Sequence, residues 1–562
     1  MRPFQHIPRI FPLLLHLLLL LPTPTHSAPT DSPHDADIPQ SSYLGGTHAI
    51  SPSHLPSFTH LWNASFAANE KHWARPLLYT LPDTGRQIVF TASTENRIRT
   101  FDAVTGELLK ERQVAPAWPT EMAFCEQVGR TVGIVGTPVV YVEEGVVFFY
   151  VKSYIEVPGG AAPPLNAVTY LYGVYLDTLL DLYKFPLFID DVPADNDSRK
   201  MFLGGLVLQR PALLLLGEVL YAGFGGMCDA FNYTGSLVAV NLATRKTYRW
   251  TTQAGPTSSY TPDWTSWHGG GAGGIWQAGM GLSSNGQDVF FTIDNGSGSQ
   301  SPNTSTTPKP GTQYEGVLSE TVVRIRLDEG SGTGEAAKGI QLVDFFRPFD
   351  YQTDAGQDIG SGSFALLDPS TFSTPQVAQI GIATSTNTKL YVLDAGNLGG
   401  YRMGPNGTDA ALQVIQLPGE VFGGVGSYPL EGGWVYVNMG NGPLSAYRFN
   451  AGAGEGGNAS TSSSGSELFT LAGVAPFNNP HYNFVGVPTV TSDEGKEGTG
   501  IVWVTDVDKG LLAYKAVPEN GSLIPLPLPK VEGAVKYSRP VFGDGRVYMF
   551  DGVGRLVAMG VK

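Results

Sequence analysis

Hydrophobic residues recur along this chain in short runs broken by turn residues, the pattern of strands packed on both faces. ARPLLYTLPDTGRQIVFTAS, GTPVVYVEEGVVFFYVKS, QRPALLLLGEVLYAGF, SYPLEGGWVYVNMG, GVPTVTSDEGKEGTGIVWVTD and SRPVFGDGRVYMFDG align on a proline, a turn glycine and a following β-rich run. Pro76, Pro138, Pro211, Pro429, Pro488 and Pro540 hold the same place in these segments. A second strand-like run comes next, as in RIRTFDAVTGELL, GSLVAVNLATRKTYRW, GPLSAYRFNAG, KGLLAYKAVPENG and GRLVAMGVK. Two further units, GQDVFFTIDNG leading to TVVRIRLDEG, and VAQIGIATSTNTKLYVLDAGN, lack the proline but keep the rest, which makes eight. Such units are too long for a solenoid rung and too irregular for a sandwich, and radial stacking would bury both faces of each sheet. The expected fold is therefore all-β: a single eight-bladed β-propeller of four-stranded antiparallel blades over residues 58–562.

Composition agrees with many short strands. Charged residues make up 15% of the 562-residue chain against 70 glycines and 41 prolines, which favours tight turns over long salt-bridged helices. A net charge of −15 argues against nucleic acid as a partner, because phosphate binding rests on clustered Lys and Arg. SGSQSPNTSTTPKPGTQ near residue 300 and NAGAGEGGNASTSSSGSE near residue 460 read as low-complexity surface loops. Residues 29–57 are rich in Pro, Ser and His and are expected to be poorly ordered.

The first 28 residues read as a secretory signal peptide: Arg2 and Arg9 precede an apolar core from Ile10 to Leu21, and small residues stand after it at Ser27 and Ala28. That core falls short of the roughly 20 residues a membrane span requires, so a soluble, extracellular protein without membrane partners is expected. Eight sequons, at Asn63, Asn196, Asn232, Asn295, Asn303, Asn406, Asn458 and Asn520, are candidate glycan acceptors on such a chain. Its two cysteines, Cys125 and Cys228, read most simply as one disulfide, worth about 4–5 kcal/mol in the chain-entropy model. They are too far apart for redox or haem-attachment motifs, and no zinc-type spacing occurs.

The stretch HGGGAGGIWQAGMGL, from His268, contains both GxGxxG and HGGG. A dinucleotide loop needs a strand before the glycines and a helix after them. Here SSYTPDWTSWH precedes them, while Gly279, Gly281 and the Asn285-Gly286 turn break up the stretch where that helix would lie. An oxyanion hole of the HGGG type accompanies a GxSxG elbow, and the chain has none. The remaining reading is a loop that packs closely beneath something flat and presents Trp276.

GGGAGGIWQAGMGLSSNGQDVFFTIDNG resembles the GGGxxW and (Y/F)xGTGN stretch of quinoprotein alcohol dehydrogenases, propellers that bind pyrroloquinoline quinone and a calcium ion. FDAVTGELL and AVNLATRKTYRW are similar to that family's AxDxxTGKxxW repeat, IVGTPVV to its GITGTPVI, and KLYVLDAGNLGGY to its KLYxLDRxNG. Carried across, the resemblance implies that Trp276 stacks on the quinone above Gly274, that Asn295, Asp229 and Asp358 ligate calcium, and that Asp358 is the catalytic base. A basic cofactor contact of the family falls at Thr386, and the family's disulfide between adjacent cysteines has no counterpart in sequence.

The implied function is a secreted oxidoreductase that oxidises an alcohol, sugar or small hydroxylated metabolite in its central face and passes electrons to an external acceptor. Hard oxygen donors suit calcium, which would polarise the quinone while a carboxylate takes the substrate proton. The alternative is a cofactor-free secreted propeller that binds a glycan, protein or small molecule.

Overall fold

The computed structural model describes residues 30–46, 48–123, 125–155, 163–256, 258–267, 269–296, 310–312, 316–330, 337–351, 358–452, 467–481 and 485–562. The leader expected over residues 1–28, most of the two low-complexity inserts, and His268 lie outside them. No helix among the described residues is long and apolar enough to cross a membrane.

Antiparallel sheets succeed one another along the chain as eight blades. Blade 1 begins at Leu77–Thr80, blade 2 at Val139–Tyr141, blade 3 at Val207–Gln209, and blade 4 at Ser283–Ser284. Blade 5 begins at Phe364–Leu366, blade 6 at Gly426–Tyr428, blade 7 at Thr489–Thr491, and blade 8 at Val541–Gly543. Blade 8 takes its outermost strand, Thr59–Ala64, from the start of the chain, where it pairs with Leu556–Gly560. This pairing closes the ring by joining the two ends of the propeller.

Period-two alternation explains how each blade binds two neighbours. Phe290 packs with blade 5 and the next residue, Phe291, with blade 3. Leu77 likewise faces blade 2 while Leu78 faces blade 8. Eight hydrophobic clusters fill the junctions between successive blades, the last joining blade 8 to blade 1. The repeat prolines flank the innermost strands, where an edge position spares them a ladder hydrogen bond.

Of the segment 29–57, expected to be poorly ordered, residues 30–46 instead line the inside of the ring. Ser32 exchanges backbone hydrogen bonds with Leu78 of blade 1 at 3.1 and 3.0 Å, and Val140 N–H of blade 2 donates to Pro33 at 2.8 Å. Ser284, Leu366 and Ser427, on the innermost strands of blades 4, 5 and 6, donate to Ile38, Pro39 and Ser41 at 3.0, 2.9 and 2.9 Å. Tyr43–Leu44 then pairs in parallel with blade 7, and Gly545 N–H of blade 8 donates to His48 at 2.8 Å. The open backbone edges of the inner strands order this segment, and such bonding depends little on the Pro, Ser and His side chains from which disorder was inferred.

Candidate functional site

Loops at one end of the axis enclose a pocket of about 310 Å³, at the lower end of the range for small-ligand sites. Trp276 forms one wall. A Cβ added at Gly225, or at Gly274, would lie 2.5 Å from its indole, so these two glycines let the ring rest directly on backbone. Its Nε1, buried, has no hydrogen-bond partner among the described residues. The disulfide Cys125–Cys228 lines the same pocket, 103 residues apart in sequence with Cα atoms 5.7 Å apart.

An acidic side is gathered from three blades. Asp229 comes after the second strand of blade 3, Asp294 and Asn295 after that of blade 4, and Asp358 lies in the loop entering blade 5. Glu320, buried, precedes Thr321–Asp328. The Tyr233 hydroxyl donates to Asp229 Oδ1 at 2.5 Å, Asn295 N–H to Asp294 Oδ1 at 2.6 Å, and Ser361 N–H to Asp358 Oδ1 at 2.6 Å. Ile359 N–H donates to Glu320 Oε2 at 2.9 Å. Burial, reinforced by Asp358, Glu320 and Asp229, pushes the Asp294 carboxyl well above its usual range. Burial and then Asp358 do the same to Glu320. Asp358 is raised chiefly by burial, against the opposing hydrogen bonds from Ser361 and Asp294. Like charges held this close in a dry site call for shared protons or a cation.

Trp73, Phe422, Tyr537, Arg210 and Lys536 also line the pocket. The Arg210 guanidinium sits 5.9 Å from the Trp73 ring centre. Burial lowers it to about 10, and burial together with Arg210 lowers Lys536. Burial raises Tyr537 to about 12.

Of the residues singled out from sequence, Trp276, Asp229, Asn295, Asp358, Cys125 and Cys228 all line this pocket. Gly274 lies under the indole. Thr386 is outside the lining: its hydroxyl receives Asp358 N–H at 2.8 Å and donates to Asp358 O at 3.0 Å, fixing that backbone. Among the described residues, no three acidic, His or Cys side chains are grouped closely enough to hold a metal ion unaided. The sequons divide. Asn63, Asn406 and Asn520 are exposed, and Asn295 is half-buried in the pocket. The Asn196 amide donates to Thr251 O at 2.8 Å and the Asn232 amide to Thr261 O at 2.5 Å. Asn303 and Asn458 lie outside the described residues.

Sequence reasoning missed Asp294, Glu320, Arg210 and Lys536. One usable signal was present: Arg75, Arg210 and Arg539 each stand immediately before a repeat proline, at the inner edge of a blade. Asp294 adjoins Asn295, yet nothing local reveals that it meets Asp358.

The site is thus a small pocket on the axis of an eight-bladed propeller, walled by an indole and a disulfide and flanked by carboxylates and cations. The chain shares its fold with the quinoprotein alcohol dehydrogenases. A quinohemoprotein alcohol dehydrogenase from Comamonas testosteroni superposes with a TM-score of 0.59 at 14% identity, over 94% of this chain and 80% of that one. The quinohemoprotein alcohol dehydrogenase ADHIIG from Pseudomonas putida HK5 gives 0.57 at 13% identity, over 94% and 80%. A europium-containing methanol dehydrogenase gives 0.56 at 12% identity, over 94% and 98%. No protein-family model and no curated protein sequence matches the chain.

Proposed function

We propose that the protein is a secreted oxidoreductase that takes hydride from a small hydroxylated molecule, using a quinone of the pyrroloquinoline type and a hard cation such as Ca²⁺ bound in the Trp276 pocket. One observation carries this reading: Trp276 and a disulfide line one pocket together with Asp229, Asn295 and Asp358. The family's disulfide joins adjacent cysteines, whereas here two distant ones supply it.

The donor types suit the proposed groups, although among the described residues no three acidic, His or Cys side chains are grouped to hold a metal ion. Carboxylate and amide oxygens are the ligands a hard cation prefers, and a cation would relieve the repulsion that raises Asp294, Glu320 and Asp358. The unpartnered Trp276 Nε1 and the Arg210 guanidinium in the lining offer donors to an anionic planar ligand. When bound, the quinone would supply the hydride acceptor and the cation would polarise it.

The protein's own groups do the remainder. Asp229, Asn295 and Asp358 would hold the cation, and the Trp276 ring and the disulfide would orient a flat ring between them. Asp358 would take the substrate hydroxyl proton at a carboxylate oxygen. Asp294, hydrogen-bonded to it, is placed to share that proton. Electrons then leave to an external acceptor outside the cell.

The test is titration of the purified protein with pyrroloquinoline quinone and Ca²⁺, then dye-linked oxidation of an alcohol panel. Trp276→Ala is expected to abolish quinone binding. Absence of binding by the unaltered protein at micromolar quinone would refute the proposal. It would favour a second reading, a cofactor-free pocket for a small molecule, for which the direct Asp294–Asp358 hydrogen bond speaks.

A further inference from the structure

The turn that presents Trp276 is costly to form. Gln277, Ala278 and Gly279 come directly after it with φ of 47°, 47° and 85°, a left-handed run in which two residues carry side chains. L-residues rarely adopt that conformation singly, and a run of them needs outside restraint. Part of the restraint comes from the turn and the neighbouring blades: Gln277 N–H donates to Gly360 O at 3.0 Å, Thr292 N–H to Gln277 Oε1 at 3.1 Å, and Gln277 Nε2 to Gly281 O at 2.7 Å.

A further part comes from the segment that lines the ring. Gly281 N–H, at the end of the turn, donates to Gln40 Oε1 at 3.2 Å and to Asp35 Oδ2 at 3.3 Å. Gln40 is itself fixed by its amide, which donates to Asp35 O at 3.0 Å and Asp37 O at 3.2 Å. Asp35 is almost wholly buried and pairs with Arg75, whose Nη2 donates to Pro540 O at 2.7 Å. Arg539 Nη1 stands 3.6 Å from its other oxygen. Asp35 also acts electrostatically on Arg210, whose guanidinium abuts Gly279. One carboxylate therefore faces the arginines that precede the repeat prolines of blades 1 and 8.

We propose that Gln40 and Asp35 are positioning residues for the candidate site: the N-terminal segment grips the Trp276 turn from the axis. The inference rests on the reading of the Trp276 pocket as a ligand site. It makes residues 32–46 a working part of that site as well as a seam between blades.

The experiment uses the full chain labelled with 5-fluorotryptophan, with the Trp276 ¹⁹F resonance assigned by Trp276→Phe. Gln40→Ala removes an acceptor from Gly281, and Asp35→Asn keeps the shape while removing the charge. Both are expected to shift or broaden the Trp276 resonance, leave most other tryptophan signals in place, and weaken binding of pyrroloquinoline quinone by about threefold to tenfold, the worth of one ordinary hydrogen bond. An unchanged Trp276 signal and unchanged affinity in Gln40→Ala would overturn the inference. If the unaltered protein binds no quinone while Gln40→Ala still moves the Trp276 signal, the ligand proposal falls and the positioning role stands.

Discussion

Replacing Asp294 with Asn probes the carboxylate cluster directly. The side chain keeps its shape, and its amide oxygen still accepts the 2.6 Å hydrogen bond from Asn295 N–H. Its NH₂ group becomes a permanent donor to Asp358, where the acid must first hold a proton. A carboxyl whose folded pKa lies above its unfolded one binds its proton more tightly when folded, so the unfolded chain holds fewer protons and stability falls as pH rises. Asp294, Glu320 and Asp358 are all shifted upward. Their penalty is absent below about pH 4, where the unfolded carboxyls are also protonated, and grows through neutral pH. A hydrogen bond to a charged group is worth about 1.5–3 kcal/mol, so Asp294→Asn is expected to stabilise the metal-free protein by about 1–3 kcal/mol at pH 7.5 and by little near pH 4. Urea unfolding of the chelator-treated protein across this range measures the gap. A variant no more stable at pH 7.5, or one with the same gap at every pH, refutes the reasoning. Added Ca²⁺ should stabilise the unaltered protein more than the variant, because ligand binding to the folded state alone raises stability by mass action.

The geometry sets three other expected outcomes. Replacing both Cys125 and Cys228 with Ser opens a link across 103 residues and is expected to cost up to about 4–5 kcal/mol by urea unfolding under oxidising conditions; a loss below about 1 kcal/mol would contradict it. Gly279→Ala places a side chain at φ 85° against the Arg210 guanidinium, so unfolding should show a loss of about 1–2 kcal/mol and quinone affinity should fall, whereas an undisturbed variant would argue against that close approach. In a glycosylating secretory host, peptide mass spectrometry should find glycans on the exposed Asn63, Asn406 and Asn520, with Asn196 and Asn232 bare because their amide nitrogens donate within the fold.

The repeat prolines, turn glycines and alternating Val, Ile, Tyr and Phe by themselves determined eight units of antiparallel strand, because strand period and turn chemistry act over a few residues. The same local logic ruled out a nucleotide loop around Gly274 and left Trp276 as a presented ring. Family resemblance then marked Asp229, Asn295 and Asp358. Only the tertiary structure decided what meets them. Cys125 and Cys228 reach the Trp276 pocket from segments about a hundred residues apart. Asp294 and Glu320 become perturbed because closing the ring removes them from water beside Asp358. Residues 30–57 carry few apolar side chains, so their composition reads as disorder. The order of residues 30–46 comes from backbone hydrogen bonds to the inner strands, and from Asp35 facing buried arginines that only a closed ring brings to one axis. Local side-chain pattern specifies strands and turns; a shared axis is a property of the assembled ring, and the site is built there.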